Sequence, residues 1–225
     1  MLFSSTLAFV SVVTTIIFDL SDVLIAGLGG LERVLAARTG LPQETCNELL
    51  FGQWLVDLCC GEITEEQYLK RVLASGVDAQ PRMAPEDLKC AIRETFQYPV
   101  AGMDQLVIDL SRRYQLVLFS DHAREWVEDI CAKHHFMSLF AERYFSFDSG
   151  KSKRQGTAFA EMLTRIRRPS HACLLIDDNP ENIEKAAELG IRGIVFRDLP
   201  QLLQDLPKFG VVVGSRATPV SVKLR

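Results

Sequence analysis

The chain is 225 residues long, with 48% hydrophobic and 24% charged residues and a formal net charge of −4. Those figures suit a globular protein with a sizeable core, built as one domain with an elaboration or as a large and a small domain. The slight acidity removes the electrostatic reason to expect nucleic acid, whose binders carry a strongly basic footprint.

The first thirteen residues are apolar, but no lysine or arginine precedes the run, so the charged start of a signal peptide is missing. A membrane span of about 20 residues beginning there would sink Asp19 into lipid. Six cysteines, at positions 46, 59, 60, 90, 131 and 173, show no metal-ligand spacing and lie mostly in apolar stretches. They read as free thiols in a reducing compartment. The expectation is a cytoplasmic protein, monomeric or homodimeric, with neither a membrane nor a nucleic-acid partner.

The first element is an apolar strand over 12–19 that delivers Asp19 to a turn, followed by Leu20-Ser21-Asp22-Val23-Leu24. From about 26 to 99 no strand pattern occurs, and helical periodicity predicts helices over 30–38, 43–60, 64–75 and 85–97. Phe51, Trp54, Leu55 and Leu58 share one face at i, i+3, i+4, i+7 spacing, and are expected to form the core of this helical insert. Glu65 and Glu66 follow Thr64 at a helix start, where the dipole favours acids. Gly27, Gly29 and Gly30 supply a flexible exit, and Pro99 with Gly102 the return.

Further strands are predicted over 115–120, 142–147, 172–177 and 192–196, separated by helices over 123–134, 156–166 and 180–189. Pro180 marks a helix start and Gly190 its end. Strands alternating with helices point to an α/β, doubly wound parallel Rossmann-like sheet carrying an inserted α-helical cap. The boundaries expected are 1–25 and 100–213 for the α/β core, 26–99 for the cap and 214–225 for a loose basic tail.

Several strand ends carry reactive groups: Asp19, Ser120 after Leu118-Phe119, and the pair Asp177-Asp178 after Leu174-Leu175-Ile176. Lys153 lies before a helix. In an open parallel sheet such ends gather at one carboxyl edge. Each residue also has a plain structural reading, as a turn or helix cap for Asp19, Ser120 and Asp177-Asp178, or as a surface lysine for Lys153. Gly150-Lys151-Ser152 imitates the end of a phosphate-binding loop, but the earlier glycine that loop needs falls on Phe145.

These four motifs, Phe18-Asp19-Leu20-Ser21-Asp22, Leu118-Phe119-Ser120, Gly150-Lys151-Ser152-Lys153 and Ile176-Asp177-Asp178-Asn179-Pro180-Glu181-Asn182, resemble the haloacid dehalogenase-like superfamily with a helical cap after the first strand. The resemblance runs from about Thr15 to Phe196. The wording around Asp19 and Asp178 is most similar to glucose-1-phosphate-type sugar phosphatases, and more loosely to the phosphatase domain of bifunctional epoxide hydrolases. It implies a Mg2+-dependent phosphatase that hydrolyses a small phosphorylated metabolite through an aspartyl-phosphate on Asp19. Asp19, the backbone carbonyl of Ser21, Asp178 and Asp177 (directly or through water) are then the Mg2+ ligands. Ser120, Asp121 and Lys153 are the phosphate-binding set, with Asp19, Ser120 and Lys153 as the catalytic residues. Lys151 stands as an alternative to Lys153.

The chain departs from the pattern at three places. Ser21 occupies the position of the usual acid/base aspartate, which predicts a preference for good leaving groups. Asp121 stands where asparagine is common, and Arg154 where proline is. His122, Arg124 and Trp126 are read as an ordinary loop and helix start. Two alternatives remain open: a metal-independent haloacid dehalogenase, and a non-catalytic protein that keeps the fold for binding.

Overall fold

A computed structural model describes residues 12–74 and 83–214. The expected tail from about 214, and most of the apolar N-terminal stretch, lie outside the described residues. Five strands, β1 (Thr15–Phe18), β2 (Gln115–Ser120), β3 (Glu142–Phe145), β4 (Cys173–Asp177) and β5 (Arg192–Val195), form one parallel sheet in the order β3-β2-β1-β4-β5. Ile16, Ile17, Phe18, Val117, Leu118, Leu174, Leu175 and Ile176 are fully buried. Such unbroken apolar runs, rather than alternation, mark strands covered on both faces.

Between β1 and β2 come α1 (Leu31–Thr39), α2 (Gln43–Phe51), α3 (Gln53–Cys59), α4 (Glu65–Ala74), α5 (Pro85–Thr95) and α6 (Met103–Ser111). The later strands alternate with α7 (Arg124–Lys133), α8 (Ser146–Ser149), α9 (Thr157–Ile166), α10 (Pro180–Glu188) and, after β5, α11 (Leu199–Asp205). The sequence patterns missed α6 and α11. They also predicted one helix over 43–60, where the structure has two. Gly52 breaks the run in an extended conformation, and a Cβ there would lie 2.4 Å from the Glu48 carbonyl. Asn179 caps α10 by accepting from the Glu181 amide at 3.0 Å, and Pro180 fills its first turn.

The chain leaves the sheet and returns to it through an isolated antiparallel bridge between Ile25 and Pro99, with the Val100 amide donating to the Leu24 carbonyl at 2.9 Å. Gly27 was expected to be a flexible exit. It is instead a close approach: its amide donates to Asp22 Oδ1 at 2.8 Å, and a Cβ would sit 2.3 Å from Oδ2 of the same carboxylate.

The inserted helices are tied to the rest of the molecule through polar groups buried between them. Glu65, at the start of α4, accepts two bonds from Arg93 of α5, at 2.6 and 3.0 Å, and one from Trp126 Nε1 of α7 at 2.6 Å. Ser146 Oγ donates to the Cys59 carbonyl at the end of α3 and accepts from the His122 amide. Among the described residues no helix is long and apolar enough to cross a membrane.

Glu65 is therefore a fastener as well as a favourable first-turn acid. Replacing it with alanine leaves the Trp126 N–H without its acceptor and the Arg93 guanidinium with the looser 3.6 Å pairing to Asp129, so Glu65→Ala should cost roughly 3 kcal/mol. Urea unfolding would read that loss, whereas the exposed control Glu66→Ala should change stability by less than about 0.5 kcal/mol.

Candidate active site

Parallel register decides which side chains meet. Phe18 of β1 is aligned with Leu118 of β2 and Ile176 of β4, so Asp19, Ser120 and Asp177 emerge from three adjacent strands at the same carboxyl edge. Lys153 reaches this edge from the loop before α9. Its Nζ donates to Asp19 at 2.8 Å and to Asp177 at 2.7 Å, and the residue is 2% exposed. Lys151 points elsewhere and pairs with Glu161 on the surface.

The three carboxylates Asp19, Asp177 and Asp178 bring oxygen atoms within 4.8 Å of one another. Burial pushes the Asp19 carboxyl up, Lys153 pulls it down and Asp177 pushes it up again, leaving it at about 7. Asp178 is raised in the same direction, by burial first and then by Asp177. For Lys153, burial disfavours the ammonium, but Asp19, Asp177 and Asp121 outweigh it and hold the lysine charged. One buried cation thus faces three acids. Oxygen ligands at this spacing, with unneutralised negative charge, suit a hard divalent cation such as Mg2+.

The remaining predicted residues take distinct places. Ser120 Oγ is buried and, among the described residues, has no hydrogen-bond partner, so it is a donor waiting for an acceptor at the sheet edge. Asp177 is fixed on every side: Asn182 Nδ2 and the Asn179 amide donate to it as well as Lys153. Among the described residues, the Ser21 carbonyl accepts none of the hydrogen bonds of the turn after β1, which run from Asp22, Leu24 and Ile25 amides to other carbonyls. Asp22 adopts a left-handed conformation (φ 57°), and its carboxylate is held by Gly27. It is therefore not placed to replace the acid missing at Ser21.

Asp121 was assigned to phosphate binding. Its carboxylate accepts from Ser152 Oγ at 2.7 Å and from the Lys153 amide at 3.0 and 3.1 Å. That oxygen pair grips the loop presenting Lys153 rather than projecting free toward a substrate. Arg154 instead lines a cavity of about 120 Å3 beside Asp121 and Ser152.

A larger cavity, of about 210 Å3, adjoins Ser21 and is lined by Phe51, Leu55, Asp121, His122 and Trp126 among others. Two readings of the sequence hold and gain a cavity contact: Phe51, Leu55 and Leu58 pack in or against the core, and Trp126 lies in the first turn of α7. Phe51 and Leu55 were expected to be interior to the insert, and His122 and Trp126 to be ordinary loop and helix. The break at Gly52 separates the helices that carry Phe51 and Leu55, and the Ser146 bond holds the His122 loop against α3. Neither device has a pattern that periodicity could detect. Arg124 also follows the simpler expectation, lying over the Phe147 ring and pairing with Asp148.

The family model described as haloacid dehalogenase-like hydrolase matches residues 51–196. The chain belongs to that family. Flavin mononucleotide hydrolase 1 of Arabidopsis thaliana, chloroplastic by name, is 24% identical over 200 residues, covering 88% of this chain and 78% of that protein. A HAD-like family hydrolase from Porphyromonas gingivalis superposes with a TM-score of 0.71 at 22% identity, covering 86% of this chain and 98% of the other. A HAD family enzyme from Bacteroides thetaiotaomicron, solved with magnesium and inorganic phosphate, does so at 0.65 and 17% identity, covering 84% and 98%. These likenesses establish the fold of a haloacid dehalogenase-like hydrolase, and its sheet and helices agree with the doubly wound architecture expected from sequence.

The raised Asp19 carboxyl gives a signed expectation. Its folded value lies above the ordinary 3.8, so the protonated form favours folding, and that contribution is lost as pH rises from about 4 through about 7. A divalent cation competes with the proton for the same oxygens. The rise in melting temperature on adding Mg2+ should therefore be larger at pH 8 than at pH 5. Equal rises at both pH values would place the cation away from Asp19.

Proposed function

We propose that the protein is a Mg2+-dependent phosphatase that hydrolyses a small phosphorylated metabolite through an aspartyl-phosphate on Asp19. The observation carrying this reading is the meeting of Asp19, Lys153, Asp177 and Asp178 beside the unpartnered Ser120 hydroxyl at one sheet edge.

Asp19, Asp178 and the Ser21 carbonyl would hold Mg2+, with Asp177 bound directly or through water. When bound, the cation neutralises the charge that would otherwise set a phosphate against Asp19. Asp19 attacks phosphorus in line with the leaving oxygen, and water later releases phosphate from the carboxyl. Lys153 orients Asp19 and supplies a positive charge to the phosphoryl oxygens, while Ser120 donates to one of them. Asp121 serves this set by holding Lys153 in place through its backbone amide. The assignment of Asp121 changes accordingly, from phosphate ligand to support.

The three-carboxylate cluster favours this reading over a metal-independent dehalogenase, because acids crowded around one lysine remain underneutralised without a cation. In domain terms, we assign 26–99 to a cap and 1–25 with 100–213 to the core, of which the described residues are 12–74 and 83–213. The six free cysteines favour a reducing, cytoplasm-like compartment. The sugar-phosphate preference suggested by the wording around Asp19 competes with a nucleotide-like one, since the Arabidopsis relative is named for flavin mononucleotide.

A panel of sugar phosphates, flavin mononucleotide, acyl phosphates and aryl phosphates assayed with Mg2+ tests the reading. Turnover should vanish with chelator and with Asp19→Asn; turnover surviving Asp19→Asn would remove Asp19 as nucleophile. Ser21 leaves the leaving-group oxygen without a proton donor at that position, so esters with good leaving groups should dominate. Ser21→Asp should raise turnover of simple alkyl phosphates by roughly 100-fold, the lower end of what a positioned acid contributes.

A further inference from the structure

The cavity beside Ser21 has a chemical character that the phosphoryl machinery does not explain. Phe51 and Leu55 wall it from the insert, Trp126 from α7, and its polar groups include Ser21, Asp121 and His122. The Asp121 carboxylate is already engaged by Ser152 and the Lys153 amide. His122 is 3% exposed, and its ring packs 5.4 Å from Phe96 and 5.7 Å from Trp126. Its Nδ1 accepts from the Ala123 amide at 3.1 Å, which places the ring proton on Nε2. Burial keeps the imidazole neutral by lowering its pKa to about 4. Among the described residues Nε2–H has no partner, and it is not one of the fully buried atoms left unpaired, so the donor is accessible from the cavity its residue lines. Such a donor can exchange water for an acceptor carried by a ligand.

A bare polyol would bring hydroxyls against Phe51, Leu55 and Trp126, where they find no partners. A flat ring buries its faces against those side chains and can offer one acceptor to the imidazole. Resting on the reading of Asp19 as the attacking group, we propose that this cavity seats the non-phosphate end of the ester, and that Phe51, Trp126 and His122 Nε2–H select a flat ring bearing a hydrogen-bond acceptor. His122 is then a specificity-determining residue that leaves the reacting phosphorus to Asp19, Lys153 and Ser120.

Three esters of primary alcohols separate the terms: isobutyl phosphate, 2-naphthylmethyl phosphate and the quinolinylmethyl phosphates, in which one ring nitrogen replaces a carbon of the naphthalene. They are compared by kcat/KM with Mg2+, and their hydrolysis-resistant phosphonate counterparts by calorimetric Kd. The naphthyl ester should exceed isobutyl by about tenfold or more, through burial of the added ring. One or more quinolinyl isomers should exceed naphthyl by about tenfold, the worth of one buried hydrogen bond. His122→Phe keeps the ring and removes the donor, so it should abolish the second preference and retain the first. Phe51→Ala should shrink the first.

Wild-type ratios near one in both measurements would overturn the inference while leaving the phosphatase reading standing. So would a quinolinyl preference that persists in His122→Phe. If no ester turns over but the phosphonates bind in the expected order, the phosphatase reading fails and the ring-selective cavity stands.

Discussion

A buried ammonium holds the centre of this molecule. Lys153 lies out of solvent and donates to Asp19 and Asp177, which come from neighbouring strands, and its loop is gripped by Asp121 from a third. Burying a lysine is tolerable only when anions surround it, and burying those anions is tolerable only with the lysine present. The mutual requirement welds strand ends and one loop into a single unit. It also leaves a surplus of negative charge, because Asp178 adds a third carboxylate to the group. The surplus makes the site receptive to a divalent cation, while burial first, and Asp177 after it, raises the Asp19 carboxyl to about 7.

Around that centre the polar framework is layered. Asn182 and the Asn179 amide hold Asp177; Asp177 and Asp19 hold Lys153; and Asp121 holds the loop on which Lys153 rides. Each layer comes from a helix start or a strand end, where backbone groups are free to bind. Away from it, Glu65, Arg93 and Trp126 secure the inserted helices with one buried carboxylate. The insert thereby places Phe51 and Leu55 in the wall of a cavity that Ser21 and Asp121 line from the sheet edge. Such a division between a fixed chemical edge and a variable inserted wall lets one fold serve many substrates.

The sequence disclosed those features that local rules encode. Short apolar runs, continuous in β1, β2 and β4, marked the five parallel strands, and the residues ending those three marked Asp19, Ser120 and Asp177-Asp178. Pro180 and Gly190 bounded a helix that the structure contains. Local rules gave way where distant segments decide. The helix expected over 43–60 splits because a glycine beside the Glu48 carbonyl permits a break, and periodicity does not register such a break. Gly27 looked like slack but is fixed by Asp22. Choosing between Lys151 and Lys153 needed the third dimension, since both lie in the same short loop and only one reaches the sheet edge.

By itself, then, the sequence determined the order and type of the sheet elements and the family of chemistry available at their ends, because strand burial and terminal residues are written in short stretches. Tertiary structure alone decided which groups touch. It set Asp121 to gripping a loop, left the buried Ser120 Oγ without a partner among the described residues, and placed His122 and Phe51 in the wall of one cavity. Those outcomes depend on parallel register and on the seating of the insert, and both arise from contacts between segments tens of residues apart, which no local pattern records.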